Sequence, residues 1–287
     1  MLTHDYAEVN GVRLHYAAAG RGALILFLHG FPEFWYAWRR QLDEFSRDRR
    51  AVAPDMRGYN LSDKPGDVEQ YRMPHLVEDV RALAERLGAA RFTLVGHDWG
   101  GAVAWAFALR HPEWLERLVV VNAPHPAVFR RELRENPAQQ QASQYMLRFR
   151  SPEAEATLSA DGYRALAGMV LRPGLERGYF TEEDRAAYLA AWSRPGALTG
   201  GLNYYRAARA GPGGPAPERR EPVPAITVPT LVIWGERDTA LLTGNLVGLE
   251  DHVRDLTIRR IPEGTHWVIH EQPEQVNGHI RDFLGGR

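Results

Sequence analysis

The chain has 287 residues, of which 44% are hydrophobic and 25% charged, and its formal net charge is −1. That length is enough for one large core, or for a core with an inserted subdomain. The near-zero charge argues against a nucleic-acid partner, because proteins that bind polyanions concentrate positive charge. Cysteine is absent, which excludes disulfides, thiolate catalysis and cysteine-ligated metals.

The N-terminal segment predicts neither export nor membrane anchoring. Its first twenty residues include Asp5 and Glu8 and lack a continuous apolar run, unlike a secretory signal. The longest clean apolar run, residues 23–28, is far shorter than a membrane span. We therefore expect a cytoplasmic protein without a membrane span.

Strand-like and helix-like runs alternate along the first 124 residues. Asn10-Gly11 between two strand-like runs predicts a β-hairpin, because this dipeptide tolerates positive φ. The elements predicted after it are a strand at 23–28, a helix at 35–48, a strand at 50–55, a helix at 73–88, a strand at 91–96, a helix at 99–110 and a strand at 115–124. This alternation indicates an α/β fold with a mainly parallel central sheet flanked by helices.

The alternation stops after "NAPHP" and resumes near the C-terminus. Residues 127–210 read mostly as helices, and a Gly/Pro-rich stretch at 211–229 follows them. We interpret this stretch as a connector because its prolines cannot join a sheet interior. Strands at 230–235 and 256–261 and a helix near 272–284 complete the chain. We expect a core split by an inserted helical cap: 1–126 as the first part of the core, 127–222 as the cap with its return linker, and 223–287 as the second part of the core.

Asp98 is the candidate nucleophile. The stretch Gly96-His97-Asp98-Trp99-Gly100 lies where a predicted strand turns directly into a helix. This is the G-x-S-x-G nucleophile elbow of α/β hydrolases with aspartate in place of serine. The helix N-terminus favours an anion, so an ionised Asp98 is stabilised there. The alternative is that Asp98 is only an N-cap residue.

Asp238 and His266 complete a candidate catalytic triad. They follow Asp98 in the order nucleophile, acid, histidine that α/β hydrolases use. Asp238 comes just after a late strand, and His266 lies between the last strand and the last helix. His270 is the competing histidine, but it enters the last helix whereas "GTHW" is loop-like. A loop-capping role is the alternative for Asp238.

The stretch "HGFP" at 29–32 follows the first buried strand, where the oxyanion loop of this fold lies. Backbone N–H groups of Phe31 and Trp99 are predicted to form the oxyanion hole. Pro32 fixes the loop, and the sequence leaves its cis or trans state open. His29 is interpreted as a hydrogen-bonded structural residue. The side chains of Phe31, Pro32 and Trp99 are candidates for the pocket wall.

An aspartate nucleophile selects a different electrophile from a serine. A carboxylate displaces a leaving group at saturated carbon and forms an alkyl ester, which splits one difficult step into two. Water activated by His266, itself oriented by Asp238, would then attack the carboxyl carbon of Asp98. Epoxides and alkyl halides are the expected substrates, and this chemistry calls for no cofactor or metal.

The leaving group separates these two substrates. An epoxide oxygen departs as an alkoxide, for which a tyrosine hydroxyl is a suitable proton donor. The predicted cap contains Tyr145 and the pair Tyr204-Tyr205. The alternative is that these tyrosines pack in the core, as tyrosines on helices usually do.

Eight segments together resemble the soluble epoxide hydrolases of the α/β-hydrolase fold: "HGFPEFWYAWRRQL", "PDMRGYNLSDKP", "LVGHDWGGAVAW", "VNAPHP", "NPAQQQASQYM", "GGLNYYRA", "PTLVIWGERD" and "GTHWVIHEQPEQVN". The resemblance spans nearly the whole chain. It implies the triad Asp98, Asp238 and His266, with Tyr145 and Tyr205 polarising and protonating the epoxide oxygen. Tyr204 remains the alternative to Tyr205. Asn60 departs from the family, which more often has glycine there, but asparagine tolerates left-handed geometry.

Two other functions share these residues. A haloalkane or haloacid dehalogenase would use the same Asp-His-Asp triad. Phe31 stands where haloalkane dehalogenases commonly carry asparagine, and Trp99 stands where haloacid enzymes carry arginine, although the Trp99 indole can also donate to a halide. A non-catalytic ligand-binding protein on this fold is the third reading. The expected partners are a small-molecule epoxide and water, and the sequence leaves a homo-oligomer open.

Overall fold

A computed structural model describes residues 1–214 and 224–285. Within these residues, eight strands form one sheet in the order β1-β2-β4-β3-β5-β6-β7-β8. The β1–β2 and β2–β4 pairs are antiparallel, and the other pairs are parallel. The strands are β1 (Thr3–Val9), β2 (Val12–Ala19), β3 (Leu24–Leu28), β4 (Arg50–Pro54), β5 (Phe92–His97), β6 (Leu115–Val121), β7 (Thr230–Gly235) and β8 (Leu256–Ile261).

Helices follow most of the parallel strands, and a run of helices separates β6 from β7. In chain order the helices are α1 (Arg39–Phe45), α2 (Met73–Arg86), α3 (Trp99–Arg110), α4 (Pro126–Glu135), α5 (Pro137–Ala142), α6 (Gln144–Phe149), α7 (Ala154–Arg177), α8 (Glu182–Trp192), α9 (Ala197–Ala208), α10 (Val268–Glu271) and α11 (Pro273–Gly285). Short 3-10 turns lie at Trp35–Trp38, Val68–Tyr71, Pro112–Trp114, Thr243–Leu246 and Leu249–Asp251. We refer to α4–α9 as the cap.

The predicted α/β fold with a mainly parallel sheet is confirmed. The bounds of α3, β7 and β8 are those expected from the sequence. The hairpin turn also agrees, because Asn10 and Gly11 have φ values of 45° and 76°. The predicted boundary at 222/223, and residues 215–223 of the predicted connector at 211–229, lie outside the described residues.

Two helical predictions were wrong in detail. The helix expected over 35–48 is a 3-10 turn followed by α1, which ends at Phe45. Helix α7 is interrupted at residues 160–163, where Asp161, Gly162 and Tyr163 have φ values of 50°, 64° and 65°. Asp and Gly tolerate this left-handed geometry, and the Tyr163 ring packs 6.0 Å from that of Trp192. The contact between Tyr163 and Trp192 therefore lies at the point where the helix is interrupted.

Apolar side chains cover both faces of the sheet. Strands β3, β5, β6 and β7 read as almost continuous hydrophobic runs because helices bury both of their faces. On one face α1 and α11 pack through Leu42, Phe45, Val276 and Ile280. On the other face α2 and α3 pack through Leu76, Val80, Leu83, Val103 and Phe107. The core therefore holds the carboxyl ends of the parallel strands at one edge of the sheet, where sites form in this class of fold.

The cap contacts the loops that follow β3 and β4. Arg194 of the cap donates to Asn60 Oδ1 at 2.9 Å, while Asn60 Nδ2 donates to the buried Asp55 at 2.9 Å. The φ of Asn60 is 39°, so asparagine meets the backbone requirement here that glycine would otherwise meet. Its side chain adds a link between cap and core.

No helix in the described part of the chain is both long enough and apolar enough to cross a membrane. The longest helix, α7, carries several charged side chains along its length.

Gly200 lets α9 of the cap approach the core backbone, so we predict that Gly200→Ala destabilises the protein. A Cβ atom at Gly200 would overlap the backbone of Gly58. Overpacking of this kind costs about 1–3 kcal/mol, which urea denaturation would measure as a lower free energy of unfolding.

Gly168→Ala is the matched control, because Gly168 also lies in a cap helix but has open space around its Cβ position. This control should be stabilised by about 0.5–1 kcal/mol through the backbone alone. Equal changes in the two variants would contradict the close approach of α9.

Candidate active site

Asp98 projects from a sharp turn between β5 and α3. Its φ and ψ are 51° and −121°, a conformation that non-glycine residues rarely adopt. The turn brings three backbone segments together: a Cβ atom on Gly100 would overlap Leu28, and one on Gly30 would overlap Asp98 itself. The glycines that flank Asp98 in sequence and in space thus allow the carboxylate to sit against the loop after β3.

The loop after β3 contacts the carboxylate directly. The Phe31 N–H donates to Asp98 Oδ1 at 2.8 Å, and the Phe31–Pro32 peptide bond is cis. His29 supports the loop from below: its Nδ1 donates to Gly30 O at 2.9 Å, and its Nε2 accepts from Met56 N–H at 3.0 Å. Both ring nitrogens of His29 are therefore used within the core.

His266 lies between two carboxylates. Its Nδ1 donates to Asp238 Oδ2 at 2.7 Å, and its Nε2 is 3.6 Å from Asp98 Oδ2. His270 instead donates to Glu33 Oε1 at 2.6 Å and is buried. Of the two histidines, His266 is the one that faces the candidate nucleophile.

The charges around His266 determine its protonation. Burial alone lowers the pKa of His266, but Asp238, through its charge and hydrogen bond, and then the charges of Asp98 and Glu33, raise that pKa to about 9. Burial would raise the pKa of Asp238, but His266 and hydrogen bonds from Leu241 and Asn122 hold it below its usual value. At neutral pH the resting site therefore contains an imidazolium between two carboxylates.

The two cap tyrosines indicated by the sequence lie close together and line the same cavity as Asp98. Tyr145 lies on α6 and Tyr205 on α9, with ring centroids 6.3 Å apart. Burial, and then the charge of Asp98, raises the pKa of both hydroxyls well above the usual value, so both keep their protons. The Tyr204 hydroxyl donates to Arg57 O at 2.9 Å and is buried in the core.

A cavity of about 640 Å³ opens beside Asp98. Trp99, Tyr145, Tyr205 and Leu241 line it together with apolar residues of α3 and α4. Phe31 and Pro32, which we expected in the pocket wall, line a separate cavity of about 20 Å³. The Phe31 ring packs on the rings of Phe149 and Tyr205, at centroid distances of 5.2 and 5.5 Å.

Sequence reasoning missed a buried cluster behind His266. Glu33 Oε1 accepts from His270 and also from Tyr188 of the cap at 2.8 Å, and Glu33 Oε2 is 3.4 Å from His97 Nδ1. His97 Nε2 donates to the backbone carbonyl of His266 at 2.8 Å. Both Glu33 and His97 lie inside motifs that the sequence did highlight, but no spacing connects them. In residues 1–214 and 224–285, no three His, Asp or Glu side chains are grouped as ligands for a metal ion.

Sequence reasoning also missed Asn122. It follows β6 directly, and its Nδ2 donates to Asp238 Oδ2 at 2.9 Å. The "VNAPHP" motif contains it, but only the sheet order places the end of β6 beside the end of β7.

Comparison with known proteins supports the observed fold and identifies relatives of the chain. The α/β-hydrolase fold family model matches residues 23–273. The chain is 41% identical to AB hydrolase superfamily protein YfhM of Bacillus subtilis, over 98% of this chain and 97% of that protein. It is 40% identical to epoxide hydrolase 4 of Mus musculus, over 98% of this chain and 79% of that protein. A crystal structure of Bacillus megaterium epoxide hydrolase in complex with an inhibitor, 41% identical, superposes with a TM-score of 0.91 over 98% of this chain and 100% of that one.

The chain belongs to the epoxide hydrolase family of the α/β-hydrolase fold. The family and fold predicted from the sequence are thereby confirmed, and the protein is a hydrolase. In this member of the epoxide hydrolase family, one cavity brings together Asp98, Tyr145 and Tyr205, with His266 and Asp238 behind the carboxylate.

Because Asp98 contributes to the high pKa of His266, we predict that Asp98→Asn lowers that pKa by about one unit or more. Titration of the His266 ring by NMR would measure the change. Protonation of His266 also stabilises the folded protein. Because the pKa of His266 is about 9 in the folded protein, this stabilisation is complete below the unfolded pKa of about 6.5 and is lost as the pH rises through about 9.

Glu69→Gln is the control, since it removes an exposed carboxylate that pairs with Arg72. It should leave the His266 titration unchanged. An unchanged titration in Asp98→Asn would show that Asp98 does not act on the ring.

Proposed function

We propose that this protein is an epoxide hydrolase that converts an epoxide and water to a vicinal diol through an ester on Asp98. One observation carries the proposal: a carboxylate, rather than a hydroxyl, occupies the nucleophile elbow and faces two tyrosine hydroxyls across one cavity. A carboxylate attacks saturated carbon, and a phenol can protonate the oxygen that leaves. The Bacillus megaterium epoxide hydrolase, 41% identical, has also been crystallised as a mutant with its product, a naphthyloxy-propane-1,2-diol. That product is a vicinal diol.

The first step is ring opening. Asp98 Oδ1 accepts from Phe31 N–H, which leaves Oδ2 to attack the epoxide carbon. The new bond joins Oδ2 to that carbon, and the bond between carbon and the epoxide oxygen breaks. Tyr145 and Tyr205 donate hydrogen bonds to the departing oxygen, and one of them gives up its proton, because an alkoxide is more basic than a phenolate.

The second step is hydrolysis of the ester. Esterification removes the charge of Asp98, one of the charges that keep the pKa of His266 high, so the imidazolium gives its proton to the tyrosinate and His266 becomes able to act as a base. It takes a proton from water, whose oxygen attacks the carboxyl carbon of Asp98. Backbone N–H groups of Phe31 and Trp99 stabilise the oxyanion. The tetrahedral intermediate expels the diol oxygen, which takes the proton of the re-formed carboxyl group, so Asp98 is again a carboxylate and His266 again an imidazolium.

We also propose the division of the chain that the sequence predicts. Residues 127–222 form the cap with its return linker, and 1–126 and 223–287 form the core. The argument is chemical: the triad follows strands β5, β7 and β8, whereas both proton donors lie on helices inserted between β6 and β7.

The decisive experiment offers the wild-type protein styrene oxide and 1-bromohexane separately, and measures diol and bromide. We expect diol from the epoxide and no bromide above the background of Asp98→Asn. That variant should lose diol formation by about 10³-fold or more, because it removes the nucleophile. Bromide release at a rate comparable to diol formation would instead favour a dehalogenase, and binding without turnover would favour a ligand-binding protein.

His266→Gln is the companion variant for the covalent step. It should still open the epoxide but fail to hydrolyse the ester. The tryptic peptide of residues 92–110, which contains Asp98, should then gain the mass of styrene oxide. Diol formation at the wild-type rate with an unmodified peptide would remove the ester from the mechanism.

For the proton donors, we predict that Tyr145→Phe and Tyr205→Phe each slow ring opening by about 10²-fold, the lower end of general acid catalysis. Stopped-flow fluorescence of alkyl-enzyme formation would measure this, since Trp99 lies 5.1 Å from the Tyr205 ring.

Tyr204→Phe is the matched control, because its hydroxyl donates to Arg57 O. It should cost about 1 kcal/mol of stability and leave ring opening unchanged. Slow ring opening in Tyr204→Phe alone would reverse the assignment.

A further inference from the structure

Asn122 connects the ends of two neighbouring strands at the site. It follows β6 directly and has a φ of 41°. Its Oδ1 accepts from Gly235 N–H at 2.8 Å, and its Nδ2 donates to Gly235 O at 3.3 Å and to Asp238 Oδ2 at 2.9 Å. The residue is fully buried, so water does not replace these bonds.

Only one orientation of the Asn122 amide satisfies these hydrogen bonds. The Gly235 N–H can only donate, so the Asn122 oxygen must face it, and the NH2 group must then face Asp238. The chemistry of the partners therefore determines that Asn122 is a donor to the carboxylate.

The Asp238 carboxylate accepts four hydrogen bonds. Its Oδ1 accepts from the N–H groups of Ala240 and Leu241 at 2.8 and 2.9 Å. Its Oδ2 accepts from Asn122 at 2.9 Å and from His266 Nδ1 at 2.7 Å. Asn122 is the one side chain besides His266 that these bonds include, and it shares the oxygen that orients the imidazole.

We propose that Asn122 is a positioning residue for the hydrolytic step: it holds Asp238 Oδ2 in the place from which that oxygen orients His266. The proposal rests on the two-step function above. Alkylation uses Asp98 and the tyrosines, whereas hydrolysis uses His266 and Asp238. Loss of the Asn122 donor should therefore slow hydrolysis of the alkyl-enzyme and leave its formation nearly unchanged.

Asn122→Asp replaces the donor to Asp238 with an acceptor. Aspartate tolerates the same left-handed backbone and still accepts from Gly235 N–H, but it places a second carboxylate against Asp238. The charged groups that already act on His266 are Asp238, Asp98 and Glu33, with the His97 ring 4.8 Å away. A further negative charge stabilises the imidazolium, so His266 acts as a base only at higher pH.

The experiment is single-turnover kinetics of Asn122→Asp with styrene oxide between pH 6 and 10. We expect alkyl-enzyme formation within about twofold of wild type, and hydrolysis at least about tenfold slower at pH 7, with its pH limb displaced upward by about one unit or more. The ester should accumulate on the peptide of residues 92–110. Asn10→Asp is the matched control, since Asn10 also has positive φ, 45°, and donates to a carboxylate, Asp79, at 2.8 Å. It should match wild type in both steps.

Hydrolysis at the wild-type rate with an unmoved pH limb would overturn the proposal, as would an equal loss in both steps without accumulation. If Asn122→Asp does not fold, Asn122→Gly keeps the backbone geometry and removes the donor without adding charge. It should again slow hydrolysis selectively. The NMR signal of the His266 Nδ1 proton in the resting Asn122→Gly protein supplies a readout without substrate: a signal displaced from its wild-type position supports positioning even if wild type forms no alkyl-enzyme, a result that would reject the proposed function alone.

Discussion

The conformation of Asp98 is the constraint on which the rest of the site depends. A left-handed residue between a strand and a helix aims its side chain at the edge of the sheet, and this is possible only where the surrounding backbone comes very close. Gly30 and Gly100 allow that approach. As a result one carboxylate oxygen meets the Phe31 N–H and the other faces His266. One turn thus places the carboxylate against a loop N–H and a histidine.

The parallel sheet supplies the remaining polar groups from separate parts of the chain. Strands β3, β5, β6, β7 and β8 end at the same edge of the sheet. The loops that follow them therefore bring together a backbone N–H, the candidate nucleophile, an amide, an acid and a histidine. The resting site is strongly charged, with three carboxylates acting on the His266 imidazolium. In the mechanism we propose, esterification of Asp98 removes one of these charges at the moment a base is needed. The charge state of the nucleophile therefore controls the strength of the base.

The cap contributes groups of the opposite kind, the neutral hydroxyls of two tyrosines. Tyr145 and Tyr205 are buried among aromatic rings, with Phe149 5.3 Å from Tyr145 and 5.1 Å from Tyr205. An ion pair between Arg206 and Glu155 joins α9, which carries Tyr205, to the start of α7 at 2.7 Å. In the mechanism we propose, the two tyrosine hydroxyls suit an alkoxide leaving group better than a halide, because a halide needs donors but no proton.

Much of the fold was predictable from local pattern. Strands such as β7 and β8, and the helix after Asp98, are short runs whose composition and flanking residues agree with their final structure. The break in α7 at 160–163 was missed, although Asp161-Gly162 is a dipeptide that commonly marks a turn; the packing of Tyr163 on Trp192, which joins distant residues, could be known only from the tertiary structure. The expected pocket residues Phe31 and Pro32 lie in the predicted loop, but they line a separate cavity of about 20 Å³, and the aromatic contacts of Phe31 come from the distant residues Phe149 and Tyr205.

By itself the sequence determined the α/β fold, the family, and the residue types of the candidate site, because strand and helix periods and the elbow motif are local features. It also indicated Asp98, Asp238 and His266 through their order along the chain. Only the tertiary structure decided which histidine faces Asp98, that Tyr205 lines the cavity while Tyr204 donates to the core, and that Glu33, His97 and Asn122 surround the triad. Those relations join residues from strands and helices far apart in sequence, and their physical cause is the sheet order, which brings the strand ends within hydrogen-bonding distance.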